Sequence, residues 1–206
     1  MKLYHISTSL MHTGIFTPQV PSGIEEGDSE DWITPRICFS DSIEGCLTGI
    51  PDGGIGLPAY IRSKSGKAYF KLFTLDTDAY KGIILSPEVI ANKVPDALQT
   101  REYWIMDGLK LEGVLIRLEE FSMAKSGSVE NVKYISEQLG DGQAISFNFI
   151  DKVQMTKFVD SLSSYPVKIK STGDHEITLT ALQAFNAREI FLLHARNRGE
   201  IVICQS

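Results

Sequence analysis

One stretch of the chain, residues 14–35, is too rich in structure-breaking residues to form a regular helix or strand of any length. Proline removes a backbone hydrogen-bond donor, and glycine lets the backbone adopt conformations that regular elements do not use. Irregular segments this long inside a compact domain are usually functional or mobile. Strand-like patterns lie on either side, so we expect a long loop between two strands, interrupted at Gly14, Pro18, Pro21, Gly23, Gly27 and Pro35.

The charge balance argues against duplex nucleic-acid binding by the first part of the chain. Lys and Arg number 20 against 26 Asp and Glu among 206 residues, which gives a net charge of −6. Proteins that neutralise phosphates need a broad basic face. The acidic run at 25–31 is interpreted either as a solvated loop or as a segment that gates a ligand or docks a partner.

The remaining composition predicts a cytoplasmic protein without a membrane span, a disulfide or a metal site. No uninterrupted apolar run approaches the roughly 18 residues that a membrane span needs, and the first residues lack the apolar core of a signal peptide. Cys38, Cys46 and Cys204 form no CxxC pair, so reduced thiols are expected. The four histidines occur in no metal-binding spacing.

A change in charge and composition predicts two domains, 1–121 and 122–206. Residues 1–121 contain 11 basic and 17 acidic residues, whereas residues 122–206 contain 9 of each. The small polar stretch 122–128 lies between periodic segments and has the composition of a linker or a long loop. We therefore place the domain boundary at this stretch.

The hydrophobic pattern predicts an α+β fold in both parts of the chain. In the first part, strands are expected at 2–7, 36–39, 67–75 and 113–118, and a helix at 42–47 that Ser40 or Asp41 could cap. In the second part, helices are expected at 129–139, 153–162 and 179–185, and strands at 144–149, 167–170, 189–194 and 200–204.

Three segments, taken together, resemble the signature strands of the ADP-ribosyltransferase fold. They are YHIS at 4–7, ICFSDSIEGC at 37–46, and REYWIMDGLKLEGVLIRL at 101–118. The branch that contains poly(ADP-ribose) polymerases and diphtheria toxin has W/Y-H-G-S/T, then G-I-Y-F-A-D and a helix, then N-E-Y-I-V-Y-D. The resemblance covers residues 1–121 only. It implies a split, mostly antiparallel β-domain, followed here by a small α+β accessory domain, with His5, Cys38 and Glu102 lining one cleft.

The resemblance also implies a set of site residues and NAD as the cofactor. Glu102 takes the place of the catalytic carboxylate, and His5 that of the residue that hydrogen-bonds the adenine-side ribose and the nicotinamide amide. Breaking the bond between nicotinamide and ribose builds positive charge on the sugar, which a fixed carboxylate stabilises. The cofactor-binding residues implied in this way are His5, Ser7, Cys38, Phe39, Ser40, Cys46 and Trp104.

The sequence departs from the family pattern at four positions, and these departures leave more than one function open. Cys38 and Gly49 stand where the family has stacking tyrosines, Cys46 where it has a serine, and Ile6 where it has a glycine. The first hypothesis is an enzyme that transfers ADP-ribose from NAD to a macromolecule, with residues 122–206 selecting the acceptor or protein partner.

The second hypothesis is a catalytically degenerate binding protein, for example a phage or bacterial counter-defence factor that neutralises an ADP-ribosylating toxin. A third is a nucleotide or ADP-ribose sensor. Glu102 and His5 favour the enzyme, and Cys38 and Gly49 favour the binding protein.

Each site residue also has a purely structural interpretation. Glu102 could be a solvated charge at the start of a strand, and His5 a hydrogen-bonded residue of a half-buried strand. Cys38 is expected to be an inert apolar side chain rather than a nucleophile. Trp104 shares a strand face with Glu102 and either lines the cleft or packs in the core.

Overall fold

The computed structural model describes residues 1–21, 24–27, 29–50, 53–63 and 68–198. The protein has an α+β fold with mostly antiparallel sheets, and the described residues form six α-helices. The chain divides into two compact units, Met1–Ile135 and Ser136–Ser206. Across the described parts of the chain, no helix has the length and hydropathy needed to cross a membrane.

Within its described residues, the first unit contains nine strands and four of the helices. Its strands are β1 (Lys2–Ser7), β2 (Ile15–Phe16), β3 (Ile37–Ser40), β4 (Tyr69–Asp76), β5 (Ile84–Leu85), β6 (Glu102–Ile105), β7 (Leu109–Lys110), β8 (Gly113–Met123) and β9 (Val129–Ser136). Its helices are α1 (Ile43–Gly49), α2 (Leu57–Ser63), α3 (Pro87–Ile90) and α4 (Ala97–Thr100), with one 3-10 turn at Gly54–Gly56. The strands predicted at 2–7, 36–39 and 113–118 and the helix at 42–47 are confirmed, as is the described part of the strand at 67–75.

Seven strands form one sheet in the order β5-β6-β3-β1-β4-β8-β9. β1 pairs with β4 at six positions, from Lys2 opposite Asp76 to Ser7 opposite Lys71. By contrast, β1 pairs with β3 at a single position, Tyr4 opposite Ser40. We call this weakly paired line between β1 and β3 the seam, and beyond Tyr4 its backbone groups are not joined by a regular ladder.

Apolar residues cover both faces of this sheet, as alternating strand side chains require. On one face, Phe16 of β2 packs into a cluster with Leu3, Phe39, Phe73 and other buried residues. On the other face, α1 and α2 cover Ile6 and the residues around it. Fully burying one large apolar side chain contributes about 1.5–3 kcal/mol, so these clusters hold the strands beside the seam in place.

Helix α1 begins directly after β3 because Ser42 caps it. The Ser42 hydroxyl accepts a hydrogen bond from the Gly45 N–H at 3.1 Å, so the cap is Ser42 rather than Ser40 or Asp41. Ser40 instead donates to the Thr100 carbonyl at 2.8 Å. A Cβ at Gly45 would lie 2.2 Å from both of these oxygens, which means that only glycine allows α1 to approach so closely.

The second unit has its own small core. A three-stranded antiparallel sheet runs in the order β11 (Ala144–Asn148), β13 (Glu176–Ala181) and β12 (Val167–Gly173). β10 (Gln138–Leu139) pairs with β14 (Phe185–Asn186), and the helices are α5 (Lys152–Asp160) and α6 (Arg188–Asn197). The strands predicted at 144–149 and 167–170 and the helix at 153–162 are confirmed by β11, β12 and α5.

Three predicted elements of the later part have the opposite secondary structure. Residues 129–139, predicted as a helix, form β9 and β10. The prediction was wrong because Asn131 adopts a left-handed φ of 54°, which interrupts the strand alternation and leaves the apolar residues at a spacing that resembles a helix. The helix predicted at 179–185 is mostly the end of β13. The strand predicted at 189–194 is α6, whose buried residues include Ile190, Phe191 and His194. The strand predicted at 200–204 lies outside the described residues.

The boundary between the two units lies between Ile135 and Ser136 rather than at residues 121 and 122. The stretch 122–128 is the end of β8 and the turn of a β-hairpin, not a linker. The Ala124 amide donates to the Ser128 carbonyl at 2.9 Å, and Gly127 has a φ of 87°. Hairpin turns and linkers both favour Ser and Gly, so composition alone did not separate them.

Candidate functional site

A cleft of about 550 Å³ lies along the seam of the first unit. Its walls come from β1, the loop after β1, β3, α1 and the start of β6. Seven of the residues implied by the family resemblance line it: His5, Ser7, Cys38, Phe39, Ser40, Cys46 and Glu102. Trp104 does not line the cleft but is fully buried in a cluster with Ile90, Val94 and Ala97.

His5 bridges the seam with its side chain. Its Nδ1 lies 2.9 Å from the Cys38 carbonyl oxygen. Because a carbonyl can only accept a hydrogen bond, Nδ1 carries the proton, and Nε2 of the neutral ring is an acceptor. Burial lowers the pKa of His5, the hydrogen bond to Cys38 partly offsets this, and His12 lowers the pKa further. The ring is therefore neutral at physiological pH.

Glu102, the first residue of β6, holds its carboxyl group in a fixed position. The Trp104 Nε1–H donates to Glu102 Oε1 at 2.7 Å. Burial raises the pKa of Glu102, whereas hydrogen bonds from Cys38 and Trp104 act in the opposite direction. Carboxyl groups with perturbed pKa values in clefts are candidates for function.

His5 and Glu102 project from opposite faces of the sheet but border the same cleft. Tyr4 is opposite Ser40, and Ser40 is opposite Glu102, so these three side chains share one face. His5, one residue after Tyr4, lies on the other face among Phe16, Phe39 and Phe73. Both residues line the cleft, whose walls include residues from both faces of the sheet.

The two cysteines of the cleft are protonated structural groups. Burial and then Glu102 raise the pKa of Cys38 well above its ordinary value, and its thiol hydrogen-bonds the Glu102 carboxyl group. Burial raises the pKa of Cys46 to about 12, and its thiol donates to the Tyr4 carbonyl at 3.0 Å. Neither residue is a thiolate nucleophile under these conditions.

Arg36 is an important residue of the site that sequence reasoning missed. Its guanidinium group is fully buried, pairs with Glu30 at 2.5 Å and lies 4.3 Å over the Trp104 ring. It also donates to the carbonyls of Asp31 at 2.7 Å and Thr34 at 3.1 Å. Arg36 therefore holds the last residues of the acidic run, Glu30 and Asp31, beside the cleft. A lone Arg following an acidic run and a proline was the available signal.

The loop after β1 adds an aromatic wall that no motif indicated. His12 and Phe16 both line the cleft, and their ring centroids are 4.7 Å apart. The Phe16 ring also meets the His5 ring edge-on at a centroid distance of 5.0 Å. Phe39 is the aromatic residue that the family resemblance did place here. His12 and Phe16 lie in the loop after β1 and in β2, which none of the three motif segments covers.

No protein-family model, curated protein or solved structure matches this chain. Among the residues that the structure describes, no group of three or more His, Cys, Asp and Glu side chains is placed to hold a metal ion.

Proposed function

We propose that the first unit is an ADP-ribosyltransferase-like domain that binds NAD in the cleft and transfers its ADP-ribose to a macromolecule. The observation that carries the proposal is that the cleft is lined by both His5 and Glu102. These are the two residues to which the resemblance assigns binding and catalysis. Its volume of about 550 Å³ is in the range of small-molecule sites.

The proposed reaction needs one fixed negative charge and one acceptor. The bond between nicotinamide nitrogen and ribose C1′ breaks, and nicotinamide leaves as a neutral molecule with the bonding electron pair. The acceptor nucleophile forms the new bond to C1′ and loses a proton to Glu102. Positive charge on the ribose favours the ionised form of Glu102, and the ionised carboxylate in turn stabilises that charge. Trp104 and Cys38 hold the carboxyl group in position throughout.

The second unit is proposed to select the macromolecular acceptor. It begins at Ser136 and has its own sheet and core, as an accessory α+β domain would. Lys168 and Lys170 occupy exposed positions of β12 and offer a local basic surface to an acidic partner. The protonated thiols of Cys38 and Cys46 fit a reducing, cytoplasmic setting.

Titration of NAD and ADP-ribose into the full chain, followed by measurement of nicotinamide release, tests this function. We expect binding tighter than about 1 mM. Glu102→Gln should reduce release by roughly 10²–10³-fold, the scale of one preorganised electrostatic contact, and change NAD affinity only slightly. Glu120→Gln removes an exposed carboxylate that pairs with Lys133 at 2.5 Å and is the matched control. Absence of NAD binding at 1 mM would refute the proposal.

A second candidate, a binding protein without turnover, is favoured by one observation. Cys38 replaces a stacking tyrosine, and its thiol hydrogen-bonds the very carboxyl group that catalysis would use. Such a protein would grip a nucleotide, or a partner such as an ADP-ribosylating toxin, and leave the glycosidic bond intact. NAD or ADP-ribose binding that is unaffected by Glu102→Gln, without any nicotinamide release, would identify this candidate.

A further inference from the structure

Two histidines line the same cleft, and backbone groups fix their rings in opposite tautomers. His5 Nδ1 must donate, because its partner at 2.9 Å is the Cys38 carbonyl. His12 Nδ1 must accept, because its partner at 3.0 Å is the Gly14 N–H. For neutral rings, this leaves Nε2 of His5 as a bare acceptor and Nε2 of His12 as an N–H donor. Among the described residues, neither Nε2 atom has a hydrogen-bond partner.

The surroundings of both rings keep them neutral. Burial lowers the pKa of His5, and burial together with Lys71 lowers the pKa of His12. The Lys71 ammonium group donates to the His12 carbonyl at 2.7 Å, so a second positive charge on the neighbouring ring is unfavourable. Both rings therefore keep their different neutral tautomers at physiological pH. Protonation would instead give each ring two N–H donors and remove the difference between them.

We propose that His12 and His5 form a recognition subsite for a neutral planar amide edge, a group that presents a carbonyl acceptor beside an N–H donor. The His12 Nε2–H meets the carbonyl, and the His5 Nε2 receives the N–H. The ring centroids are 6.4 Å apart, close enough for one amide to reach both with hydrogen bonds of about 2.9 Å. Phe16 lies against both imidazoles at 5.0 and 4.7 Å and supplies an apolar wall for a flat ligand.

This subsite discriminates by mismatch as well as by match. A carboxylate offers two acceptors and leaves the bare Nε2 of His5 facing a negative oxygen, and an unsubstituted ring leaves both histidines without partners. The inference rests on the proposed function only in taking this cleft as the ligand site. It adds His12, to which the family resemblance gives no role, as a specificity-determining residue.

The tautomers can be read directly from the unmodified protein. Two-bond ¹H–¹⁵N spectra of the full chain with ¹⁵N-labelled histidine separate protonated from bare ring nitrogens. We expect the Nδ1–H form for His5 and the Nε2–H form for His12, assigned with His5→Gln and His12→Phe. An Nδ1–H form for His12 overturns the proposal, whatever the variants do.

Fragment titration followed in the same spectra tests the ligand class. Nicotinamide and uracil carry an amide edge as an exocyclic and a ring amide respectively, and comparing them separates the two sources. Nicotinate and pyridine keep a similar ring without that edge. We expect at least one of the amide probes to shift both Nε2 signals and to bind about tenfold more tightly than nicotinate or pyridine. Equal affinity for nicotinamide, uracil and pyridine would contradict an amide subsite.

Variants complete the test and separate it from the proposed function. His12→Phe keeps an aromatic ring but removes the donor, so amide probes should lose about two- to tenfold in affinity while pyridine is unchanged. His12→Asn keeps both an acceptor for Gly14 and an N–H donor, and should restore part of the loss. His175→Phe alters an exposed histidine of the second unit and is the control. If the amide probes bind but NAD does not, the transferase proposal is wrong and the subsite stands. If NAD is turned over equally well by wild type and by His12→Phe, the subsite is wrong and the transferase proposal stands.

Discussion

The carboxyl group of Glu102 is buried beside the Trp104 indole and the Cys38 thiol, and burial raises its pKa. A group whose pKa is raised in the folded state makes the fold less stable as the pH rises from its unfolded pKa through its folded pKa. Glu102→Gln removes this cost above the folded pKa. We expect a melting temperature higher by about 2–4 °C at pH 7.5, which corresponds to roughly 1 kcal/mol in a chain of this size.

The gain should be much smaller at pH 4, below the ordinary pKa of a glutamate, where the carboxyl group is mostly neutral in both states. Thermal unfolding of wild type and Glu102→Gln at the two pH values checks this, with Glu120→Gln as the exposed control. An equal gain at pH 4 and pH 7.5 would mean that the effect of the substitution is not electrostatic. A stability cost at this position is what a residue kept for function is expected to show.

Arg101, the residue before Glu102, adopts a left-handed conformation with φ 53° and ψ 48°. This conformation ends α4 and directs the chain into β6. Non-glycine residues in this region are strained, and β-branched residues more so. The side chain is 61% exposed and pairs with Asp41, an ion pair that contributes at most about 1 kcal/mol.

We therefore expect Arg101→Gly to change the free energy of unfolding by less than about 0.5 kcal/mol, because relief of strain offsets the lost ion pair. Arg101→Val should lower it by about 1–2 kcal/mol. Urea denaturation of the two variants provides the comparison. If Val is tolerated as well as Gly, backbone strain at Arg101 is not significant.

At the scale of elements, the hydrophobic pattern predicts four of the seven strands of the large sheet, and the resemblance predicts seven of the residues that line the cleft. β1, β3, β4 and β8 have patterns typical of strands, and the motif segments contain His5 and Glu102, which both line the cleft. His12 and Phe16 could not be found in this way, because they come from a breaker-rich loop whose path depends on long-range packing. In the later part, β9 and α6 were misassigned because short apolar spacings fit a helix and a strand equally well.

Arg36 links the acidic segment to β3, and its loss should loosen that segment. Arg36→Met keeps a long apolar side chain over Trp104 but leaves Glu30 and the carbonyls of Asp31 and Thr34 without the guanidinium donor. Glu30 remains 34% exposed, so we expect a loss of about 1–3 kcal/mol, less than for a fully buried pair. Hydrogen exchange should accelerate at residues 29–36.

Lys93→Met is the matched control for Arg36→Met. Lys93 pairs with Asp31 at 2.9 Å, but its side chain is 46% exposed. We expect an effect below about 1 kcal/mol and a smaller change in hydrogen exchange. If the two variants behave alike, the buried guanidinium group of Arg36 does not hold the segment.

For the whole molecule, the lowered pKa values of His5 and His12 predict acid sensitivity. Both folded-state pKa values lie below the ordinary 6.5, so the unfolded chain binds more protons as the pH falls below 6.5. Stability is therefore fully present above about pH 6.5 and is lost as the pH falls through the folded pKa values. Glu102, whose pKa is raised, acts in the opposite direction over part of this range.

Urea midpoints at pH 7.5 and 5.5 measure this effect. We expect a lower midpoint at pH 5.5 for wild type and a smaller difference for His5→Gln, whose amide can still donate to the Cys38 carbonyl. Glu102 contributes to the pH difference of both proteins, so its contribution cancels when the difference measured for His5→Gln is subtracted from that measured for wild type. An unchanged pH dependence in His5→Gln would show that His5 does not titrate in this range.

The division after Ile135 leads to a prediction about where the chain can be cut. Val129 of β9 is 2% exposed and packs into the cluster that contains Ile6, and its amide donates to Thr48 Oγ1 at 3.0 Å. The Val132 amide donates to Glu44 Oε1 at 3.3 Å. A fragment of residues 1–121 loses these contacts and exposes the edge of β8, whereas a fragment of residues 1–135 keeps them.

We expect the fragment 1–135 to unfold cooperatively and the fragment 1–121 to be less stable by at least 2 kcal/mol or to aggregate. The fragment 136–206 should fold weakly on its own, because domains of this size are near the lower limit for an independent core. Circular dichroism melts and analytical ultracentrifugation of the three fragments test these expectations. Equal stability of 1–121 and 1–135 would contradict the assignment of β9 to the first unit, since the buried contacts of Val129 would then contribute nothing measurable.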